Sequence, residues 1–474
     1  MKDSEPVAAR QLSKSDYNRY YVIGYFLVIL VAVFQRGSLA LVNREANDNH
    51  YEVMQLLSEG FRSLNMENCR ECFHPKLYYV VCVTIFKTIG VSGANAQIVT
   101  AQLLNCVAGV MTLAVVWLGL REQRAGKLSL FLTFAWVALN PRFIGINGQA
   151  SNDSFAILFA TIAIFFTWRL LRYDRSTDFL FAQLALSCAI LSKGTSWPAA
   201  IAIIIVLIAR SIFRPSCRGR YAIYTMICLG VCAISVKYGD YDFKSYDTYA
   251  NLGKGKPLGL FERTVVGRPG VISIADSYLT FRFIDLLKNP MNTRGQELKP
   301  MHRSSVWTQL YGRLHCVQFD YHPSSWRTQS EVVKNLNRVI FVIAIGWMVV
   351  AFLGVAKRLL VLAKGLRNRG THYLASGDKY FHLLVVAGYT AFIVYFTYSY
   401  RDFAAMKTIY MFPGLLSFAV MLQEGVRLVL RALGRHENRI GVVAFISASL
   451  FLCVLYTLNV ELLIEHLERS PLHI

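Results

Sequence analysis

The run YYVIGYFLVILVAVF, beginning at Tyr20, carries no charged side chain. Hydrocarbon offers no partner to backbone amides, so a segment this apolar must satisfy them internally as a helix or a closed barrel. A second run, FAILFATIAIFFTW from Phe155, has the same character. Continuous apolar runs read as helices, because barrel strands alternate apolar with polar. Blocks of about 17–25 such residues cross about 30 Å of hydrocarbon. The chain is 54% hydrophobic and 17% charged, far from the balance of a soluble domain. The expected class is an all-α polytopic membrane protein.

The formal charge of +21 would suggest nucleic acid in a soluble protein. In a membrane protein, Lys and Arg gather in short cytoplasmic loops and set orientation. Five basic connections alternate with poorer ones: Arg121–Lys127, Arg169–Arg175, Arg210–Arg220, Lys357–Lys379 and Arg427–Arg439. This excludes nucleic acid as a partner and places the basic set, with the N-terminal tail, in the cytoplasm. The tail holds Asp3, Glu5 and Asp16, and no small-residue cleavage site follows the first apolar block, so a cleavable signal is not expected.

The segment Leu77–Val91 is apolar but short, and Lys87 interrupts it. If it spanned, every later basic loop would change sides, so it is expected to lie along the outer face. The remaining spans start near Tyr20, Gln97, Leu128, Ser154, Phe179, Trp197, Tyr221, Val339, Tyr380, Tyr410 and Ile440. About eleven transmembrane helices result, with the N-terminus cytoplasmic and the C-terminus extracytoplasmic. The chain divides into an N-terminal transmembrane module, 1–236, which includes an outer loop at 36–97. An extracytoplasmic cap follows at 237–338, and C-terminal transmembrane helices at 339–474. The cap is rich in aromatics (Tyr241, Phe243, Tyr246, Trp307, Tyr311, Phe319, Tyr321, Trp326), more than a disordered linker would hold.

Reactive residue types recur on the outer side. Asp48 follows the first span within Asn43-Arg44-Glu45-Ala46-Asn47-Asp48-Asn49-His50-Tyr51-Glu52. An acid at the lipid–water boundary is partly desolvated and so tunable as a base; the alternative is a solvated loop end. Residues 48–64 have the spacing of an amphipathic surface helix. Asp153 opens the span after Pro141 and is either a helix cap or half of a shared acidic site. Lys193-Gly194 joins two spans, where the lysine either binds a lipid-linked phosphate or snorkels. Arg401 and Lys407 stand on the outer face against the basic bias, followed by Tyr410 and Pro413; Arg401–Asp402 also reads as a surface pair. Cys69 and Cys72 flank Arg70 and Glu71. On an oxidising face this CxxC favours a short disulfide, with zinc shared with His50 or His74 the alternative.

The order of these features resembles the GT-C superfamily of membrane glycosyltransferases, in particular bacterial relatives of protein mannosyltransferases and of the lipid A aminoarabinose transferase. The resemblance rests on Asp48 after the first span, then His74-Pro75-Lys76-Leu77-Tyr78-Tyr79, then Asp153, Lys193-Gly194, and Lys407 through Tyr410 and Pro413. Asn49 stands where an acid is common, and Lys76 replaces a second proline. The resemblance implies transfer of a hexose or pentose, with inversion, from a polyprenyl-phosphate donor to a protein, lipid or glycan acceptor outside the cytoplasm of a bacterium. Asp48 would be the general base and Asp153 its companion. Lys193, Arg401, Lys407 and Tyr410 would hold the donor phosphate, and His50, Glu52, His74 and Lys76 would position donor or acceptor. The cap aromatics would stack on the acceptor. No cofactor is demanded, and a divalent cation is left open. The rival reading is a transporter or flippase for a lipid-linked sugar, for which charges at mid-bilayer and inverted repeats are the signs; the sequence has no internal repeat.

Overall fold

A computed structural model of the chain describes residues 14–45, 49–61, 64–239, 257–265, 270–292, 301–320, 323–328, 330–400, 405–435 and 438–469. Helices dominate. In chain order the first ten are α1 (Lys14–Val42), α2 (His50–Ser58), α3 (Leu77–Ile89), α4 (Ala94–Glu122), α5 (Lys127–Ala138), α6 (Pro141–Asn147), α7 (Asp153–Tyr173), α8 (Ser176–Ser192), α9 (Trp197–Phe213) and α10 (Arg218–Tyr238). The cap follows, with a two-residue antiparallel ladder of β1 (Thr264–Val265) on β2 (Val271–Ile272), then α11 (Ile274–Tyr278), α12 (Phe283–Lys288) and α13 (Val306–His315). The chain finishes with α14 (Glu331–Arg369), α15 (Phe381–Tyr400), α16 (Leu415–Arg435) and α17 (Arg439–Arg469).

Among the described residues nine helices are long and apolar enough to cross a membrane, or ten if the bent pair of α5 and α6 is one span. The protein is therefore an all-α multi-pass membrane protein. The other expected span coincides with α8, whose 17 residues lie just under the usual crossing length. The helix of 13 residues, α3, reaches only about 20 Å at about 1.5 Å per residue and falls short of the hydrocarbon thickness. It ends at Gly90, whose φ of 69° is left-handed and closes the helix. Its inner face (Tyr78, Tyr79, Cys82, Phe86) packs on Val53 and Met54 of α2. The surface helix expected over 48–64 is shorter, because α2 ends at Ser58.

The outer loop expected from residue 36 starts later. The first helix continues through Arg36 to Val42, because Arg36 turns inward and is fully buried. Its Nε donates to Asn147 Oδ1 (2.9 Å), and one terminal nitrogen donates to the carbonyls of Ala32 (2.9 Å) and Ala138 (3.1 Å). A buried guanidinium fed by acceptors need not end a helix.

The break that matters most lies between α5 and α6, where the axis bends by 50°. Pro141 has no amide proton to continue the preceding helix, and the Asn140 side chain accepts from Phe143 N (3.0 Å) to start a new one. All of α6 is buried. Gly145 admits the cap onto this helix, since a Cβ there would stand 2.6 Å from Val317 Cγ2.

The cap is fastened from three sides. Ser324 N and Ser325 N donate to the Glu45 carboxylate (3.2 and 2.9 Å), and Trp326 Nε1 donates to Asn43 Oδ1 (3.2 Å). From α17, Asn459 Oδ1 accepts from Val317 N (2.9 Å), and His466 Nε2 donates to Ser325 O (3.1 Å). The cap aromatics do not serve as expected. Tyr311, Phe319 and Trp326 are core side chains at 3%, 0% and 1% exposure, and Trp307 is half-buried with its indole N–H donating to Tyr278 O. Their apolar area is spent on packing the cap to the helices, which removes Tyr311, Phe319 and Trp326 from any role in stacking on a sugar. Tyr241, Phe243, Tyr246 and Tyr321 lie outside the described residues.

Candidate active site

Asp153 is the first residue of α7, and the chain folds locally so that it meets the end of α8. Asn152 Nδ2 donates to Ser192 O (3.0 Å), which ties the two helix ends together. Lys193 then reaches across, with Nζ 2.8 Å from Asp153 Oδ1. Ser151 Oγ donates to the other carboxylate oxygen (3.3 Å). Both charged residues are buried, at 5% and 8% exposure. The capping alternative does not hold for this turn, since Asn152, the cap residue of α7, makes no side-chain capping bond. Nor does Lys193 snorkel; it is buried against Asp153. From α4, Asn105 Nδ2 donates to Gln149 O (2.6 Å) and Ser151 O (2.7 Å), and to the Tyr78 hydroxyl (3.2 Å), fixing turn and α3 together.

A second wall comes from the loop between α2 and α3. Cys69 and Cys72 are joined in a disulfide, so neither offers a thiolate to zinc. The turn they close presents Glu71, whose Oε2 lies 3.1 Å from His74 Nε2. Lys76 Nζ donates to the carbonyls of Cys72 (2.5 Å) and His74 (2.6 Å), folding its charge back into the loop. His74 stacks on His50 with ring centroids 5.7 Å apart, and His50 Nδ1 pairs with the Tyr79 hydroxyl (2.6 Å). Both imidazoles lie within electrostatic reach of Asp153. Glu52 lines an open cavity of about 390 Å³ with Asn49, Tyr51 and Gln55. Asp48 lies outside the described residues, one position before Asn49, whose φ of 60° is left-handed.

Three residues that sequence reasoning missed complete the picture: Arg142, Arg313 and Asp320. Arg313 of α13 donates through Nε to Asp320 Oδ1 (2.9 Å), places a second nitrogen at 2.9 Å, and donates its third to Met406 O. Arg142 of α6 approaches the other Asp320 oxygen at 4.0 Å, and its Nε has no hydrogen-bond partner among the described residues. Asn292 Nδ2 donates to Asp320 as well (3.1 Å). Lys407 lies within electrostatic reach of Asp320, and Tyr410 within reach of Arg142. Burial alone would push the Asp320 carboxyl up, but Arg313, Arg142 and Lys407 outweigh it and hold the group below the usual carboxylate range. The two clusters, together the polar seam, lie within electrostatic reach of each other, since Asp153 acts on Arg142. Arg401 lies outside the described residues. Among the described residues no three His, Cys, Asp or Glu side chains gather closely enough to hold a metal ion.

One signal for Arg142 was present in the sequence. An Arg two residues past Asn140, inside an apolar stretch that runs on to Ile146, is a costly residue at membrane depth and asks for a function. Arg313 and Asp320 carry no such mark, since both sit in a polar segment.

Fold and site together define a multi-pass helical membrane protein with a buried, cation-rich seam at one end of its bundle. Residues 83–236, about a third of the chain, match the model of the dolichyl-phosphate-mannose-protein mannosyltransferase family. That stretch contains Arg142, Asp153 and Lys193. Among solved structures the chain is similar to the Archaeoglobus fulgidus oligosaccharyltransferase in its apo form, at 13% identity and a TM-score of 0.46 over 94% of this chain and 57% of that one. It is also similar to ArnT from Cupriavidus metallidurans bound to undecaprenyl phosphate (15% identity, TM-score 0.37, 89% and 79% covered). A third is the arabinosyltransferase EmbB from Mycobacterium smegmatis (11%, 0.39, 98% and 42%). The chain thus spans little more than half the length of the oligosaccharyltransferase. Comparison with curated proteins finds no match. The resemblance read from the order of motifs is matched by a family model over the stretch that holds Asp153 and Lys193.

Proposed function

We propose that this protein is a glycosyltransferase that moves a sugar from a polyprenyl-phosphate-linked donor to an acceptor hydroxyl outside the cytoplasm. The observation that carries the reading is the pair of buried ion clusters in which Lys193 meets Asp153, and Arg142 and Arg313 meet Asp320, with the charge of Lys407 acting on Asp320. Buried Arg142, whose Nε has no hydrogen-bond partner among the described residues, favours a further anion, and a lipid-linked phosphate supplies one. The family match over residues 83–236 adds support.

In the reaction, the bond from the anomeric carbon to the phosphate oxygen breaks while the acceptor oxygen attacks from the opposite face, through an oxocarbenium-like state. The configuration inverts. The departing phosphate gains negative charge, so it needs cations more than a proton, and Lys193, Arg142, Arg313 and Lys407 supply them, with Arg401 a further candidate. Asp48 takes the acceptor's proton as general base. Asp153, with His50 and His74 beside it, orients Lys193 and the acceptor. The sugar is a hexose or pentose, the acceptor a protein, lipid or glycan, and the setting a bacterial plasma membrane with the N-terminus cytoplasmic and the C-terminus outside.

The test offers the purified protein a panel of polyprenyl-phosphate sugars and compares it with Asp48→Asn. Transfer from at least one donor by the parent, and its loss in the variant, is the expected result. No transfer from any donor would sink the activity, and equal turnover by both proteins would sink the assigned base.

A further inference from the structure

The Asp320 carboxylate occupies the position that an anionic ligand of the seam would seek. Arg313 from the cap and Arg142 from the broken span approach it directly, and the charge of Lys407, from the segment before α16, acts on it as well. The geometry is lopsided. Arg313 binds Asp320 closely through two nitrogens at 2.9 Å, whereas Arg142 meets it only at 4.0 Å, with Nε unpartnered among the described residues. A buried guanidinium with an unpartnered Nε is costly, and a better acceptor would recover that cost. Asn292, whose Nδ2 donates to both Asp320 (3.1 Å) and Gln309 Oε1 (3.0 Å), holds the carboxylate from its fourth side.

We propose that Asp320 is a resident counter-ion that competes with the phosphoryl group of the lipid-linked substrate for Arg142, Arg313 and Lys407. The inference rests on the reading that this seam takes a phosphate. A phosphoryl group has more acceptor oxygens than a carboxylate and can serve Arg142 and Arg313 together, so it displaces Asp320 from Arg142 first. The carboxylate swings back as the phosphorylated product leaves. Asp320 thereby weakens the binding of substrate and product alike and speeds product release. Its position just after residues 317–319, which rest on α6 and α17, couples that movement to the seating of the cap.

The sign of the effect separates this role from a structural one. Farnesyl phosphate in detergent micelles is the probe, titrated into wild type, Asp320→Asn and Arg142→Met. Asp320→Asn is expected to bind it at least about fivefold more tightly than wild type, as loss of a competitor bound by charge-assisted hydrogen bonds implies. In wild type, hydrogen exchange over residues 314–320 is expected to rise when the probe binds. Equal or weaker binding by Asp320→Asn, with wild type binding and Arg142→Met not, overturns this inference and leaves the phosphate site standing. If wild type itself does not bind, both readings fall. Should Asp320→Asn not fold, the wild-type exchange decides alone: faster exchange supports the competitor, and protection contradicts it.

Discussion

Lys193 Nζ lies 2.8 Å from Asp153 Oδ1, although forty positions separate the two in sequence, and both are buried where α7 begins and α8 ends. Breaking a buried ion pair by removing one partner costs about 3–5 kcal/mol, because the other charge is stranded. Lys193→Met and Asp153→Asn should each destabilise the protein, and the double variant should recover much of the loss. Thermal unfolding in detergent checks this. Additive losses would show that the pair is not coupled in the native state.

Arg142 gives a different signature. Arg142→Met should raise the donor KM by about tenfold to a hundredfold, the scale of one lost charge-assisted contact, and leave the acceptor KM within about twofold. Initial rates with each substrate varied in turn decide it. A change confined to the acceptor would remove Arg142 from the phosphate side.

Acid should loosen the cap. The Asp320 carboxyl is held below its ordinary range by Arg313, Arg142 and Lys407 against the opposing effect of burial. Glu45 is likewise lowered, where hydrogen bonds from Ser325 and Ser324 outweigh the upward push of burial. A folded-state carboxyl that titrates low leaves the unfolded chain to bind protons first as pH falls. Both contributions are therefore complete above the ordinary carboxylate range and are lost as pH drops through it. Melting temperature measured from neutral pH downward should fall in that window, and Glu45→Gln should flatten the fall. A slope unchanged by Glu45→Gln would contradict the assignment.

Reduction of the Cys69–Cys72 bridge should act locally. The loop it closes is so short that the entropic stabilisation is about 2 kcal/mol at most. The turn it closes carries Glu71, which faces His74 at 3.1 Å, so the site feels the change more than the fold does. Reductant should raise hydrogen exchange over residues 69–76 and lower transfer, with little change in global melting. A Cys69→Ser/Cys72→Ser variant should show the lower rate already and ignore reductant.

Much of this was legible in the sequence. Apolar runs and alternating basic loops predict the helices, because hydrocarbon leaves the backbone no other choice. The short segment with Lys87 is α3, shorter than a crossing helix, and it carries the Tyr79 hydroxyl that meets His50. Lys193 and Asp153 carry motif contexts and were both legible as candidates, although only the fold shows that they touch. Arg142, Arg313 and Lys407 meet around Asp320 from positions far apart in the chain, and no periodicity encodes such a meeting. The cap aromatics mislead for a physical reason: composition cannot tell a ring that packs a core from one that meets a ligand. Arg36 misleads similarly, since a charge seems to end a span until the fold supplies its acceptors.

The central claim is that the seam from Asp153 and Lys193 to Arg142 performs sugar transfer from a polyprenyl-phosphate donor. The most direct measurement reconstitutes the protein in liposomes with a radiolabelled polyprenyl-phosphate sugar and follows label leaving the lipid for an acceptor, in wild type and in Asp153→Asn. Transfer by wild type that falls at least about a hundredfold in the variant, the scale on which such site contacts act, is the predicted result. Equal transfer by both proteins, or none by wild type across the donor panel, would contradict it.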